Sequence, residues 1–258
     1  MAYPKIYGKN YLNENCDLVV TSGNSTKQYL YDQLKTPQWS SVGETVENGT
    51  YPCQITISFM TDGYSPFSTN RTFDTLALVN INLKKFKLQY WNGSAFVDIN
   101  ETIKTANADT DIVFIDFSSA PVASEKIRLC MDSTIVPGQE KKIGELWVMD
   151  YKFTLTNILI GYDRKDWVKE GKYRLASGKL ETWQEVSKFI LSQSLRNVGK
   201  TLRDNLKSLK EEYDNFTIYP DSTEWEDDLF LVYWTNNWDE NYDWKKNLYT
   251  IQFDIEEK

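Results

Sequence analysis

One amphipathic helix, in a chain that otherwise has the pattern of strands and turns, most limits how this sequence can fold. Between residues 197 and 213, apolar side chains recur every three or four positions, at Val198, Leu202, Leu206, Leu209 and Tyr213. That spacing places them on one face of a helix. No other segment of this length keeps a helical period. The sequence therefore predicts a mainly β protein with one helix, at about 197–213, packed on a sheet.

Short segments of alternating apolar and polar residues predict the strands of the first half of the chain. They lie at 54–59, 84–91, 112–117, 126–131 and 143–149, with turn residues between them. Asn92 and Gly93 follow Trp91 and predict a tight hairpin turn with two positive φ angles, after which Phe96, Val97 and Ile99 begin the return strand. Regularly spaced strands without helical segments predict a β-sandwich over residues 1–150.

The second half, residues 151–258, has a different pattern. Alternation at 183–191 precedes the helix, and further strands are expected at 216–220, 230–234 and 248–255. A strand, a helix and three more strands predict a second, α+β domain whose single helix covers a sheet or barrel.

Charge is unevenly distributed along the chain. Residues 211–258 hold 14 acidic and 3 basic side chains, whereas the rest of the chain is slightly basic. An acidic surface repels phosphate, so nucleic acid is not an expected partner of this segment. The acidic residues form either a solvated face or a contact with a basic partner protein. No apolar stretch is long enough to span a bilayer, and the N-terminus has no signal-peptide core.

The residue inventory argues against catalysis. The chain has no histidine, and Cys16, Cys53 and Cys130 lack the spacing of a zinc site. One disulfide is possible, although an odd count without a secretion signal favours reduced, buried thiols. Gly199-Lys200-Thr201 lacks the earlier glycine of a phosphate-binding loop, since position 194 is serine, and so indicates only a helix N-terminus.

Acidic residues offer no defined catalytic pair either. They crowd two segments, and nothing in the sequence fixes two of them at a catalytic separation; they are Asp109, Asp111, Asp116, Glu224, Glu226, Asp227 and Asp228. Loops rich in Asp and Asn are compatible with structural calcium, but no complete loop signature is present. We therefore expect a protein that is not an enzyme, without a cofactor and without an assigned metal site.

Aromatic residues in turns are the better candidates for binding. Tyr64 and Phe67 lie in a loop rich in Gly, Ser and Asn, where an exposed ring would stack on a sugar or fill a partner's pocket, unless the loop buries them. Trp225, Trp238 and Trp244 stand among acidic and Asn residues between the last strands. They are candidates for an assembly interface, or they cap the end of the sheet.

The first half resembles a discoidin-type, galactose-binding-like domain over about residues 10–150. The resemblance rests on the order of these segments: Tyr11-Leu12, Tyr31-Asp32, the Thr-Pro-x-Trp ending at Trp39, 55–59, 74–78, 87–93, 126–129 and 144–148. It implies a jelly-roll sandwich that binds sugars, lipids or proteins through variable loops. The family's usual terminal disulfide has no counterpart here, because no cysteine follows Val148.

The second half resembles distal and minor tail proteins of bacteriophages. The resemblance rests on residues 171–178, the helix with Leu202 and Leu206, residues 216–221 and residues 232–234. It implies a tail-tube-like β-sandwich or barrel flanked by a helix, whose copies assemble into a ring.

Together these features favour a structural component of a phage tail or baseplate. Its expected partners are copies of itself and other tail proteins, with host surface glycans as a further possibility, and its expected location is the virion tail. Sequence-specific nucleic-acid binding and membrane insertion are not expected. The alternative is a carbohydrate-binding protein with a discoidin-like module and no part in ring assembly.

Overall fold

Antiparallel strands make up most of the structure. The computed structural model describes residues 3–13, 16–21, 26–32, 38–60, 69–99, 104–105, 112–156, 170–174, 180–184, 190–219 and 229–258. Within these residues the strands are β1 (Lys5–Tyr7), β2 (Cys16–Val20), β3 (Trp39–Ser40), β4 (Cys53–Phe59), β5 (Arg71–Phe73), β6 (Thr75–Ile81), β7 (Leu83–Trp91), β8 (Phe96–Asp98), β9 (Lys104–Thr105), β10 (Ile112–Asp116), β11 (Val122–Ser124), β12 (Lys126–Thr134), β13 (Lys142–Met149), β14 (Tyr151–Thr154), β15 (Glu170–Arg174), β16 (Leu180–Gln184), β17 (Ile190–Val198), β18 (Phe216–Tyr219), β19 (Phe230–Trp234), β20 (Glu240–Asp243) and β21 (Leu248–Glu257).

The described residues contain a single α-helix, α1 (Lys200–Glu212), and one 3₁₀ turn at Lys27–Leu30. The predicted fold class, mainly β with one helix, is therefore confirmed. None of the described helices has the length and the apolar character needed to cross a bilayer.

The described residues fall into two compact units, each with its own hydrophobic core. The described residues from 10 to 151 form one unit, which we call the sandwich unit. Those before 10 and after 151 form the other, which we call the helix unit. Strand β1 belongs to the helix unit because it pairs with β18.

Two antiparallel sheets enclose the core of the sandwich unit. The larger sheet has the order β2-β4-β12-β7-β8, with β9 also paired to β7, and the smaller has the order β10-β6-β13-β3. Alternate residues of β4, such as Ile55 and Ile57, pack in one cluster with Leu78 of β6 and Leu146 of β13. A cluster shared by both sheets is what defines a β-sandwich, and it leaves the other face of the larger sheet for polar side chains.

The main sheet of the helix unit has the order β14-β1-β18-β19-β21-β17, with β20 also paired to β21, and β15 and β16 form a separate two-stranded sheet in the same unit. Leu206 and Leu209 of α1 are buried in the core of this unit, as the helical spacing predicts, whereas Leu202 and Tyr213 are half-buried at its margin. Helix and sheet therefore meet through the predicted apolar face of α1.

The helix begins three residues later than the sequence predicts. Strand β17 continues to Val198, which pairs with Tyr249, and a bulge interrupts this pairing between Leu195 and Val198. Asn197 within the bulge has φ +57°, and Gly199 is the extended N-cap of α1. Val198 satisfies the helical period and is also a buried strand residue, so the apolar pattern alone could not locate the start of the helix.

The remaining strand predictions are confirmed to within a few residues, with one exception. The segment predicted as one strand at 183–191 is shared between β16 and β17, which pair with different partners, β15 and β21. The alternating sequence pattern continues from one strand to the other, but residues 185–189 between them lie outside the described residues, and the two strands belong to different sheets. All three cysteines are free: Cys53 and Cys130 are buried and Cys16 is half-buried.

Candidate binding surfaces

The outer face of the larger sheet of the sandwich unit presents a cluster of aromatic and charged side chains. Strands β7, β12 and β8 lie next to one another there, and alternation turns every second side chain away from the core. We call the cluster of these outward side chains the outer-face surface; its members are Gln89, Trp91, Phe96, Asp98, Lys126 and Arg128.

The hairpin between β7 and β8 brings its two aromatic rings together. Trp91 and Phe96 are paired across the strands, and their ring centroids are 5.2 Å apart with the planes inclined by 61°. Directly opposite residues of an antiparallel pair have neighbouring side chains, so the register itself creates this aromatic pair.

The turn that closes this hairpin differs from the expected one. Four residues, 92–95, separate the strands, and only Gly93 has a positive φ, of +98°. The Asn92 side chain accepts hydrogen bonds from the backbone N–H groups of Ser94 and Ala95, at 3.0 and 2.9 Å. The prediction that Asn92 and Gly93 both have positive φ angles is thus wrong, because Asn92 stabilises a different loop through its side chain, whereas the predicted start of the return strand at Phe96 is confirmed.

Two cations of β12 lie over these rings. The Cζ atom of Arg128 is 3.5 Å from the centroid of the Phe96 ring, and its Nε–H donates to Oγ1 of Thr56 at 3.1 Å. The Nζ atom of Lys126 is 5.7 Å from the centroid of Trp91. The face of an aromatic ring attracts a cation, so each contact restricts the positions that the charged group occupies.

A hydrogen-bonded group lies beside the two rings. Lys87 forms an ion pair with Asp98 at 3.1 Å, and Nε2 of Gln89 donates to Asp98 at 2.9 Å. Partial burial opposes ionisation of Asp98, but the hydrogen bonds from Gln89 and Lys87 prevail and hold its pKa below the usual range. The Cys130 thiol donates to Oε1 of Gln89 at 3.3 Å, and burial raises its pKa to about 11. At neutral pH the carboxylate is therefore ionised and the thiol is neutral.

A second aromatic group lies in the helix unit, on the hairpin of β20 and β21. Tyr242 and Tyr249 are paired across the strands, with ring centroids 4.9 Å apart, and the Tyr242 hydroxyl donates to Asn247 at 2.7 Å. In the adjoining loop Trp244 is 74% exposed, and the Lys245 ammonium lies 5.5 Å from its ring centroid. The hairpin presents a large apolar ring to solvent.

Trp238 is placed differently, at the margin of the core. Its ring is half-buried and lies 5.9 Å from that of Trp234. Arg203 of α1 lies 5.9 Å from the Trp238 ring and forms two hydrogen bonds to Glu240, at 2.7 and 2.6 Å. These bonds lower the pKa of Glu240, although its partial burial acts in the other direction.

The other residues that the sequence singles out are mostly not described. Tyr64, Phe67 and Trp225 lie outside the described residues, and so do Asp109, Asp111 and the acidic residues of 224–228. Asp116 is exposed and accepts a hydrogen bond from the backbone N–H of Ser118 at 2.9 Å. Across the described part of the chain, no group of three or more metal-ligating side chains comes together.

Sequence reasoning missed the outer-face surface, although part of its signal was present. Alternation that sends Phe86, Leu88 and Tyr90 of β7 to one face sends Trp91 to the other, and the same argument turns Lys126 and Arg128 away from the core. The contacts between these side chains, however, depend on the register across three strands.

Comparisons with known proteins give similarities of structure only. No protein-family model matches the sequence, and no curated protein matches it. Among solved structures, the chain is similar to a carbohydrate-binding module of Clostridium perfringens in complex with GalNAc-β-1,3-galactose, with 15% identity and a TM-score of 0.41 over 52% of this chain and 94% of that one.

Two further similarities have the same character. A family 32 module of C. perfringens in complex with galactose has 13% identity and a TM-score of 0.42, over 57% of this chain and 99% of that one. A chitosan-binding module from a Paenibacillus chitosanase/glucanase has 16% identity and a TM-score of 0.43, over 55% and 98%. At TM-scores below 0.5, these similarities assign no ligand to this chain.

Proposed function

We propose that this protein is a non-catalytic carbohydrate-binding protein and that the outer-face surface holds the glycan. The observation that carries the proposal is the Trp91–Phe96 ring pair on a sheet face, with hydrogen-bonding side chains beside it. The C–H face of a sugar ring packs on aromatic rings, and its hydroxyls need donors and acceptors at the edge of the contact. Gln89 and Asp98 supply an amide and a carboxylate there, and Lys126 and Arg128 supply donors.

Binding of this kind is expected to be modest for each copy. A shallow sheet face buries less of a ligand than a closed pocket does, so a millimolar dissociation constant, about −4 kcal/mol, is a reasonable scale for one site. Several copies presented on one particle would bind a polymeric glycan much more tightly through their effective concentration.

The test is a glycan array, followed by titration calorimetry with any glycan that binds. Trp91→Ala is expected to weaken binding at least tenfold, because it removes the larger ring of the pair. Trp244→Ala in the helix unit is the matched control, since it removes an exposed tryptophan elsewhere and is expected to leave the affinity unchanged. Circular dichroism verifies that both variants fold. Equal binding by Trp91→Ala and the wild-type protein would refute the outer-face site, and an array without any bound glycan would refute the function.

Exposed Trp244 favours a second candidate function, that of a tail structural protein. Trp244 is 74% exposed and Tyr242 is 46% exposed on the same hairpin, and large aromatic side chains of this kind are frequent anchors of protein interfaces. Under this hypothesis the hairpin contacts another copy or a neighbouring tail protein, and the protein resides in a virion tail. Light scattering over a range of concentrations tests ring assembly: wild-type oligomers that Trp244→Ser dissociates would support it, and a wild-type monomer at every concentration would refute self-assembly.

A further inference from the structure

Two cations of the outer-face surface, Lys126 and Arg128, lie two residues apart on β12. Among the described residues, no carboxylate lies within ion-pair distance of Lys126 or Arg128. The ion pairs of this face involve other cations: Lys87 with Asp98, and Lys85 with Asp132 at 3.7 Å. Between described side chains of this face, Lys85 and Lys87 therefore form ion pairs, and Lys126 and Arg128 form none.

Geometry keeps these two cations close together on the same face. Residues two apart on a strand are separated by about 6.8 Å, and their side chains point to the same side. In the row of paired residues that contains Lys126, the next acidic residue is Asp17 on β2. It is two strands from β12, at about 9.6 Å between backbones. Among the described contacts no ion pair joins Asp17 to Lys126, and the Lys126 ammonium lies over Trp91 instead.

Arg128 is arranged to bind an anion. Its Nε–H donates to Thr56 and its Cζ atom lies over the Phe96 ring. Within the described part of the chain, its two terminal nitrogens make no hydrogen bond. A guanidinium fixed in this way offers paired N–H donors, the arrangement that matches the two oxygens of a carboxylate.

From these observations we propose that the outer-face surface selects a carboxylate-bearing sugar, with Arg128 and Lys126 binding the carboxylate while Trp91 and Phe96 contact the sugar ring. This inference rests on the proposed function and adds the class of ligand. The ring contact accounts for binding of a sugar, and the two cations account for a preference among sugars. Asp98 does not oppose that preference, because its charge is already balanced by Lys87.

The experiment compares an anionic probe with its uncharged ester on the same sugar backbone: trigalacturonic acid and its fully methyl-esterified form. Calorimetry in 50 mM NaCl is expected to show the acid binding at least tenfold more tightly than the ester, the scale of a charge-assisted hydrogen bond. The advantage of the acid is expected to shrink at 0.5 M NaCl, because salt screens the exposed charges.

Variants then assign the preference to residues. Arg128→Gln and Lys126→Gln are each expected to reduce the preference for the acid, and the double variant is expected to abolish it while binding of the ester persists. Lys84→Gln is the matched control, because Lys84 is an exposed lysine of β7 that lies outside the outer-face surface. Arg128→Lys tests the paired donors, since it keeps the charge but loses the planar geometry.

The possible outcomes distinguish a failure of this inference from a failure of the proposed carbohydrate binding. Binding of the acid and the ester with equal affinity would overturn the inference and leave carbohydrate binding intact. A preference that survives in the double variant would overturn the assignment to Arg128 and Lys126. A sulfated trisaccharide that binds tenfold more tightly than trigalacturonic acid would overturn the choice of carboxylate. If no glycan of either charge binds, the proposed function fails together with the inference.

Discussion

Lys141 of the sandwich unit is the side chain whose replacement gives the sharpest test of the described fold. Its side chain is completely buried, and its ammonium donates to the carbonyl oxygens of Val46 at 2.8 Å and Glu44 at 3.3 Å. A carboxylate oxygen of Glu44 is 4.0 Å away. The lysine thus holds residues 44–46 against the sandwich through their backbone.

The loss of stability expected for Lys141→Met depends on the hydrogen bonds that each carbonyl group keeps. Methionine preserves the buried aliphatic volume, and the Glu44 carbonyl still accepts from the Ser41 hydroxyl at 3.0 Å. The Val46 carbonyl loses its partner, and an orphaned acceptor costs about 1–3 kcal/mol, the upper end applying where the lost donor was charged. The variant no longer moves a charged ammonium out of water when it folds, and the loss of this cost acts in the opposite direction. We expect a net loss of about 2 kcal/mol in the free energy of unfolding.

The assay is urea unfolding followed by circular dichroism, combined with amide hydrogen exchange. Lys142→Met is the matched control, because Lys142 is exposed and the same substitution there is expected to change stability by less than about 0.5 kcal/mol. Two backbone N–H groups of the same loop, those of Gly43 and Gly49, donate to Glu140 and Asp132, each at 2.7 Å. Both are expected to exchange faster in Lys141→Met. If the two methionine variants were equally stable and these amides kept their protection, the described role of Lys141 would be refuted.

Three further predictions concern buried side chains. Leu206→Ala in α1 is expected to lower the free energy of unfolding by about 3 kcal/mol, because Leu206 is fully buried, whereas Lys207→Ala beside it is expected to have little effect; urea titration of both variants measures the difference. Burial raises the pKa of Asp74 despite hydrogen bonds from Tyr151 and Thr75, so the folded state binds this proton more tightly than the unfolded chain and stability falls as pH rises above about 3.9. Asp74→Asn keeps the acceptor oxygen and is expected to gain stability relative to the wild-type protein as pH rises from 4 to 7; a stability difference that is independent of pH would contradict this. Cys130, with a pKa of about 11, is expected to react with iodoacetamide at pH 8 far more slowly in the folded protein than in urea, as mass spectrometry of the peptide would show.

Much of the fold could be predicted because its signals are local. The alternation of β4, β7 and β21 and the apolar face of α1 are each contained in a dozen residues, so they identify the elements without knowledge of their neighbours. The errors occurred at positions whose conformation depends on contacts with other residues, which the local sequence pattern does not show. Val198 is a strand residue because Tyr249 lies opposite it, and Asn92 does not have the predicted positive φ because its side chain binds the backbone of Ser94 and Ala95.

The candidate site could be predicted only in part, because its contacts are not local. Alternation indicates that Trp91 and Arg128 face outward, but 37 positions separate them in the sequence, and the register of β12 on β7 and β8 brings them to one surface. Lys141 illustrates the same limit in the core. Its residue type predicts a surface position, and only the fold shows the carbonyl groups that compensate its burial.

The arrangement of cations over rings on the outer-face surface bears directly on how a ligand would bind there. Lysine and arginine side chains are among those that lose most conformational entropy when they are fixed. Arg128 is held by Phe96 and Thr56, and Lys126 lies over Trp91, so much of this entropy is lost when the protein folds. A ligand that meets side chains already in position binds at a smaller entropic cost. The contacts with Phe96, Thr56 and Trp91 also stabilise the folded sheet, so the Arg128→Gln and Lys126→Gln variants need a stability measurement beside the binding assay.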